Sequence, residues 1–180
     1  TVNTGAGAKL DLTNNALIVD YSGPSQRATV EALITSGRSA GTWTGAGIVS
    51  SSANAGQFAL GVGEITDTPF SGTFLGQTVD ADAVVVRFTR YGDANLDGVT
   101  NIADFSRLAA NFNSAGRWAT GDFNYDQQVS IGDFSLLAAN FNKTLSANLP
   151  RPAAVPEPTA TAAILFAAAA ASCRRRRAGA

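Results

Sequence analysis

The chain has 180 residues, 45% of them hydrophobic, and a formal net charge of -1 from 13 Lys plus Arg against 14 Asp plus Glu. That length and apolar content suit one medium domain or two small ones with a core, and exclude a disordered chain. With no His and a single Cys, His-based metal sites, His-dependent catalytic triads and internal disulfides are excluded, which leaves carboxylates as the main reactive groups.

The near-neutral charge conceals an asymmetry. Four of the basic residues are the run Arg174 to Arg177, so the rest of the chain is acidic and presents no basic surface for nucleic acid. The chain lacks Met and opens at Thr1 without a hydrophobic leader, which points to a piece of something longer.

Residues 1–90 are rich in Gly, Ser, Thr and Ala, with short apolar runs between turn residues, and predict a β-rich region: a small sandwich or the end of a β-solenoid. Lys9 to Leu12 and Ala16 to Tyr21 flank the turn-prone Thr13-Asn14-Asn15, so a hairpin is expected there. One helix follows, with Ser25 as its cap, Val30, Leu33 and Ile34 on one face, and Gly37 as its stop. Trp43 sits among glycines and is expected to pack. The run Val84-Val85-Val86 to Phe88 predicts a strand buried on both faces.

A repeat with a period of 29 residues then appears: residues 93–113 and 122–142 share 13 of 21 aligned positions. The identities include Asp at loop positions 1, 5 and 12 and Asn at position 3, the ligand-bearing positions of a 12-residue calcium loop. Calcium is a hard cation that takes six to eight oxygens, and a curled loop aims alternate residues at one centre. In the first loop Asp93, Asn95 and Asp97 would supply side-chain oxygens, Val99 its carbonyl, Asn101 a direct or water-mediated contact, and Asp104 the closing carboxylate. In the second loop these roles fall to Asp122, Asn124, Asp126, the Gln128 carbonyl, Ser130 and Asp133. Gly98 permits the sharp turn at position 6, whereas Gln127 stands there in the second loop. A left-handed non-Gly residue costs on the order of 1 kcal/mol, so weaker binding is expected at the second loop.

After each loop, Phe105, Leu108 and Phe112, and likewise Phe134, Leu137 and Phe141, recur at helical spacing and predict two one-sided helices. Helices this short are marginal alone, so they should pack on each other about a pseudo-twofold axis with Trp118 covering them. Six acids against Arg107 and Arg117 leave residues 91–142 at a formal -4, which two calcium ions would neutralise, coupling metal to folding.

The duplicated pattern D-x-N-x-D-G-x-x-N-x-x-D, closed by Asp in place of Glu and with one helix after each loop, resembles the type I dockerin. The resemblance covers about 52 residues and implies a small all-α module holding two calcium ions, whose helices dock on a cohesin-like partner. The two positions before the last ligand are Ile102 and Ala103 in one repeat and Ile131 and Gly132 in the other, apolar or small where cellulosomal dockerins carry polar pairs. Ala109-Ala110 and Ala138-Ala139 replace the basic residues common later in those helices. A cohesin of another kind, or a neighbouring domain of the same chain, is the expected partner, with a calcium-stapled stability module as the alternative.

From Lys143 to Pro158, four of the protein's six prolines mark a linker ending in Val155-Pro156-Glu157-Pro158. Thr159 to Cys173 follows, 15 residues without a charge, and then the four arginines. As a helix that stretch spans about 22 Å against a roughly 30 Å hydrocarbon core. The order of these elements resembles a PEP-CTERM sorting signal. That resemblance implies a C-terminal helix in the inner membrane with cytoplasmic arginines, processing by an exosortase-like enzyme, and a final place in the cell envelope or on the surface.

The expected architecture is thus an α+β multi-part chain: a β-rich region (1–90), the two-loop module (91–142), a Pro-rich linker (143–158) and an anchor segment (159–180). The expected function is a non-catalytic calcium-binding interaction or attachment module of an exported protein. The alternative is the C-terminal part of a secreted glycoside hydrolase with its catalytic domain upstream. Within residues 1–90, Glu31, Glu64, Asp67, Asp80 and Asp82 could supply an acid/base pair, yet their spacing singles out none.

Overall fold

The computed structural model describes residues 7–145, all of which belong to one compact unit, Thr1–Leu149. In chain order the strands and helices are β1 (Lys9–Asp11), β2 (Ala16–Asp20), α1 (Arg27–Arg38), β3 (Gly47–Val49), β4 (Phe58–Glu64), β5 (Thr73–Phe74), β6 (Gln77–Thr78), β7 (Ala83–Arg90), β8 (Val99–Thr100), α2 (Ile102–Ala110), α3 (Ile131–Asn140) and β9 (Lys143–Thr144).

The run Ala83 to Arg90 becomes the central strand of an antiparallel sheet ordered β2-β7-β4, and Ala83 to Thr89 are buried. Its β-branched residues suit a strand covered on both faces. The expected hairpin between the first two strands does not form. β1 pairs in parallel with β3, Lys9 opposite Gly47, whereas β2 pairs with β7, Ala16 opposite Arg87. The turn at Thr13-Asn14-Asn15 is present, with Asn15 N–H donating to the Leu12 carbonyl at 2.8 Å, but it sends the two strands into different sheets.

The helix α1 lies where expected, but its N-cap is Gln26 and not Ser25, whose hydroxyl accepts from Arg27 N–H at 3.1 Å from one residue earlier. Gly37 does not stop it. A Cβ there would lie 2.0 Å from the Ile48 carbonyl oxygen, so this glycine lets α1 press against β3. Val30, Ile34 and Trp43 are buried in the core.

Two parts of the expected fold class are corrected. Residues 7–90 form neither a sandwich nor a solenoid end but a mixed α/β arrangement with α1 against β3 and β4. The two-loop module is not all-α, because β8 pairs antiparallel with β9, Val99 opposite Thr144, and a bridge joins Ala115 to Gln128. The expected membrane-inserted C-terminal helix also finds no support: residues 159–180 lie outside the described residues, among which no helix is long and apolar enough to cross a membrane.

The module and the sheet share one core. Trp118 is fully buried, with Phe123 edge-on at 5.2 Å and Tyr125 and Tyr91 beside it. Gly61 of β4 makes room for it: a Cβ at that position would lie 2.5 Å from the indole Nε1 and 2.6 Å from Leu96 Cδ2. The indole expected to cover the two helices therefore ties their connector to the upstream sheet.

Candidate metal centre

Each loop is built by short-range hydrogen bonds that recur 29 residues later. The closing carboxylates organise both. Asp104 Oδ1 accepts from Ala94 and Asn95 N–H at 2.9 and 3.2 Å, and Asp133 Oδ1 from Phe123 and Asn124 N–H at 2.8 and 3.1 Å. Their Oδ2 atoms accept from Asn101 and Ser130 N–H at 2.8 and 2.9 Å, while the Asn101 and Ser130 side chains accept from Ala103 and Gly132 N–H. Positions 9 and 12 thus form the capping boxes that start α2 and α3. The residues proposed as ligands also begin the helices.

At position 1, Asp93 Oδ2 accepts from Gly98 N–H at 2.9 Å and Asp122 Oδ2 from Gln127 N–H at 2.8 Å. Asn95 and Asn124 accept from Asp97 and Asp126 N–H, and these aspartates accept in turn from Val99 and Gln128 N–H. The backbone is left-handed at Leu96 and Tyr125, φ 61° and 60°, and again at Gly98 and Gln127, φ 91° and 71°. Gln127 therefore adopts the strained conformation its position demands.

The repeats clasp each other. Leu145 N–H donates to the Gly98 carbonyl at 2.7 Å and Gly116 N–H to the Gln127 carbonyl at 2.9 Å. Asn142 and Asn113 N–H bond the Thr100 and Val129 carbonyls at 2.8 and 2.9 Å. Gly92 and Gly121, just before the two loops, sit where a Cβ would lie 2.8 Å from Leu137 Cα and from Leu108 Cα respectively. These reciprocal contacts express the pseudo-twofold axis, with Phe105 and Phe134 edge-on across it at 6.2 Å. Only the middle residue of each apolar trio is buried, Leu108 and Leu137; Phe112, Phe134 and Phe141 are exposed.

Three carboxylates of the second loop, Asp122, Asp126 and Asp133, have oxygens within 4.8 Å of one another and could hold a metal ion. Among the described residues Asp93, Asp97 and Asp104 do not converge in this way, and the first loop carries a different signal: Asp93 is fully buried, and its Oδ1 has no hydrogen-bond partner among the described residues. A bare buried carboxylate oxygen is costly unless something cationic meets it. Burial, with repulsion from Asp104 and Asp97, pushes the Asp93 carboxyl up to about 7, and burial pushes Asp122 up to about 6. Asp104 is raised as well, mainly by burial. A bound dication would reverse these penalties, and an all-oxygen donor set of carboxylates, amides and carbonyls suits a hard ion.

The first loop has supports that spacing within the motif does not show. The Thr89 hydroxyl donates to Asp93 Oδ2, the Trp118 indole N–H donates to the Asp93 carbonyl at 2.7 Å, and Arg87 donates to the Leu96 carbonyl. Of the acids considered for catalysis, Glu31 pairs with Arg27 and Asp67 with Arg117, the latter at 3.0 Å. Glu64 accepts from Tyr21 O–H at 3.1 Å, and Asp80 accepts from Asp82 N–H at 2.9 Å.

No protein-family model matches the chain, and no curated protein matches it. Among solved structures the chain is similar to a "Type II cohesin-dockerin domain from Bacteroides cellolosolvens", at 42% identity, covering 32% of this chain and 92% of that one, with a TM-score of 0.29. That title specifies type II, whereas the motif resemblance read from the sequence is to type I.

Proposed function

We propose that residues 91–142 are a dockerin-like interaction module that binds two calcium ions, one in each loop, within an exported, envelope-associated protein. The observation that carries this reading is the 29-residue recurrence of one hydrogen-bonded loop around acidic side chains, with a bare Asp93 oxygen in one copy and converging Asp122, Asp126 and Asp133 in the other. Asp93, Asn95, Asp97, the Val99 carbonyl, Asn101 and Asp104 would hold one ion, and Asp122, Asn124, Asp126, the Gln128 carbonyl, Ser130 and Asp133 the other. Titration calorimetry of the full chain tests this, with two calcium ions per chain and a chelator-sensitive melting temperature expected. No bound calcium overturns the reading, and one ion overturns its second half.

The partner surface we assign is the helical face with repeat-related Ile102 and Ile131, 64% and 67% exposed. Beside Ile131 runs an apolar groove of about 410 Å³ lined by Phe105, Leu108, Ala109, Phe112, Ile131 and Phe134. An exposed apolar face on a stapled helix pair suits a cohesin-like protein. Capture on an immobilised cohesin should need calcium and be lost in the Ile102→Asp, Ile131→Asp double variant; capture insensitive to both overturns the assignment.

The reading is non-catalytic, because the spacing of Glu31, Glu64, Asp67, Asp80 and Asp82 singles out no acid/base pair. The Pro-Glu-Pro motif, uncharged stretch and Arg cluster of residues 155–177 support export and exosortase-like processing. Intact mass of the surface form tests that part, and a retained Arg174 to Arg177 run counts against it.

A further inference from the structure

We propose that Arg87 is a positioning residue for the first calcium loop, a resident cation that holds the loop in its binding conformation before the metal arrives. The proposal rests on the calcium reading above. Arg87 lies on the central strand β7 opposite Gly61 and is buried. Residues opposed across an antiparallel pair point to the same face, and the space over Gly61 is filled by Leu96 and Trp118. The guanidinium therefore rises from the sheet directly into the underside of the first loop. There its Nη1 donates to the carbonyl of Leu96, the left-handed fourth residue of the loop, and its acidic neighbours are Asp93 and Asp97.

Gly98 belongs to the same device. A Cβ on it would lie 2.8 Å from Arg87 Nη2 and 3.2 Å from Cζ. The glycine at position 6 thus serves two ends, the left-handed turn and the passage of the guanidinium. The second loop takes the left-handed turn with Gln127, and the residue 29 positions after Arg87 is Gly116, so the repeat places no arginine at the equivalent position of that loop. The arginine touches the backbone and leaves Asp93 Oδ1 bare, so it orders the loop without filling the metal position. Groups that orient metal ligands from behind are worth roughly 10–100-fold in affinity when removed.

The test is calcium titration of the full chain as wild type, Arg87→Met, Gly98→Ala and the double variant, with hydrogen exchange of the loop amides in chelator. Arg87→Met should lose at least about tenfold in affinity at the first loop and less than about twofold at the second. In chelator its Gly98 and Asn95 amides should exchange as fast as Gln127 and Asn124, whereas in wild type they are slower. Gly98→Ala should cost markedly less affinity in the Arg87→Met background than in wild type, because the left-handed penalty is common to both and only the steric conflict differs. Equal cost in both backgrounds, or unchanged or tighter binding by Arg87→Met at the first loop, overturns the proposal and leaves the calcium reading intact. Wild type that binds no calcium at either loop overturns both.

Discussion

The two loops share one ligand pattern and one set of internal hydrogen bonds, yet they live in different surroundings. Asp93, Asn95 and Asp104 are buried against the sheet, with Arg87, Thr89 and Trp118 reaching the loop from outside it. Asp126, Gln127 and Gln128 of the second loop are exposed, and Tyr125 ties that loop to the sheet, its hydroxyl donating to the Leu60 carbonyl. The lesson is that a metal-loop motif specifies ligands but not the free energy of holding them. On the proposed calcium reading, loop order in the first copy would be supplied partly by the protein, and in the second it would depend more on the ion.

The largest expected effect comes from severing the tie between sheet and module. Trp118→Ala removes a fully buried indole and should cost about 3–5 kcal/mol in urea unfolding with calcium present. Because the lost N–H holds the Asp93 carbonyl, calcium affinity should fall further at the first loop than at the second. An equal loss at both would break the comparison.

A smaller effect concerns pH and sharpens the role of the ion. The Asp93 carboxyl stands at about 7 and Asp122 at about 6 in the folded, metal-free chain, above the ordinary value of 3.8. Folded pKa values that are raised contribute stability that is complete below the unfolded value and is lost as pH rises through the folded one. In chelator the melting temperature should therefore be higher at pH 5 than at pH 8. In saturating calcium the order should reverse, because the ion binds the deprotonated carboxylates and stabilises by mass action. Thermal melts at the two pH values with and without calcium check this, and the same order in both would remove the carboxylates from the account.

What the sequence reveals follows the range of each interaction. Ligand spacing, capping boxes and helix starts lie within a dozen residues, so Asp93 to Asp104 and Asp122 to Asp133 are legible as loops and α2 and α3 as helices. The β8–β9 pair is not legible, because two-residue strands joined by backbone hydrogen bonds leave no side-chain pattern at Val99 or Thr144. The hairpin expectation fails for a related reason: Thr13-Asn14-Asn15 does turn the chain, but strand partners are chosen by distant residues, here Ala83 to Arg87 for β2 and Gly47 to Val49 for β1. Gly61 and Arg87 show the limit most clearly, since a glycine that admits an indole 57 positions later has no local signature.

The smallest expected effect separates backbone strain from steric conflict at position 6. Gln127 is left-handed and exposed, so Gln127→Gly relieves a penalty of about 1 kcal/mol. It also adds freedom to the unfolded chain, which takes back about 0.4–1 kcal/mol. The net gain should be a few tenths of a kcal/mol, under about fivefold in calcium affinity at the second loop, with the first loop unchanged. Gly98→Gln should cost more than this exchange gains, because its side chain meets the Arg87 guanidinium as well as the left-handed turn. If the two exchanges prove equal and opposite in site-resolved calcium titrations, position 6 is governed by backbone conformation alone, and the difference between the loops lies elsewhere than at Arg87.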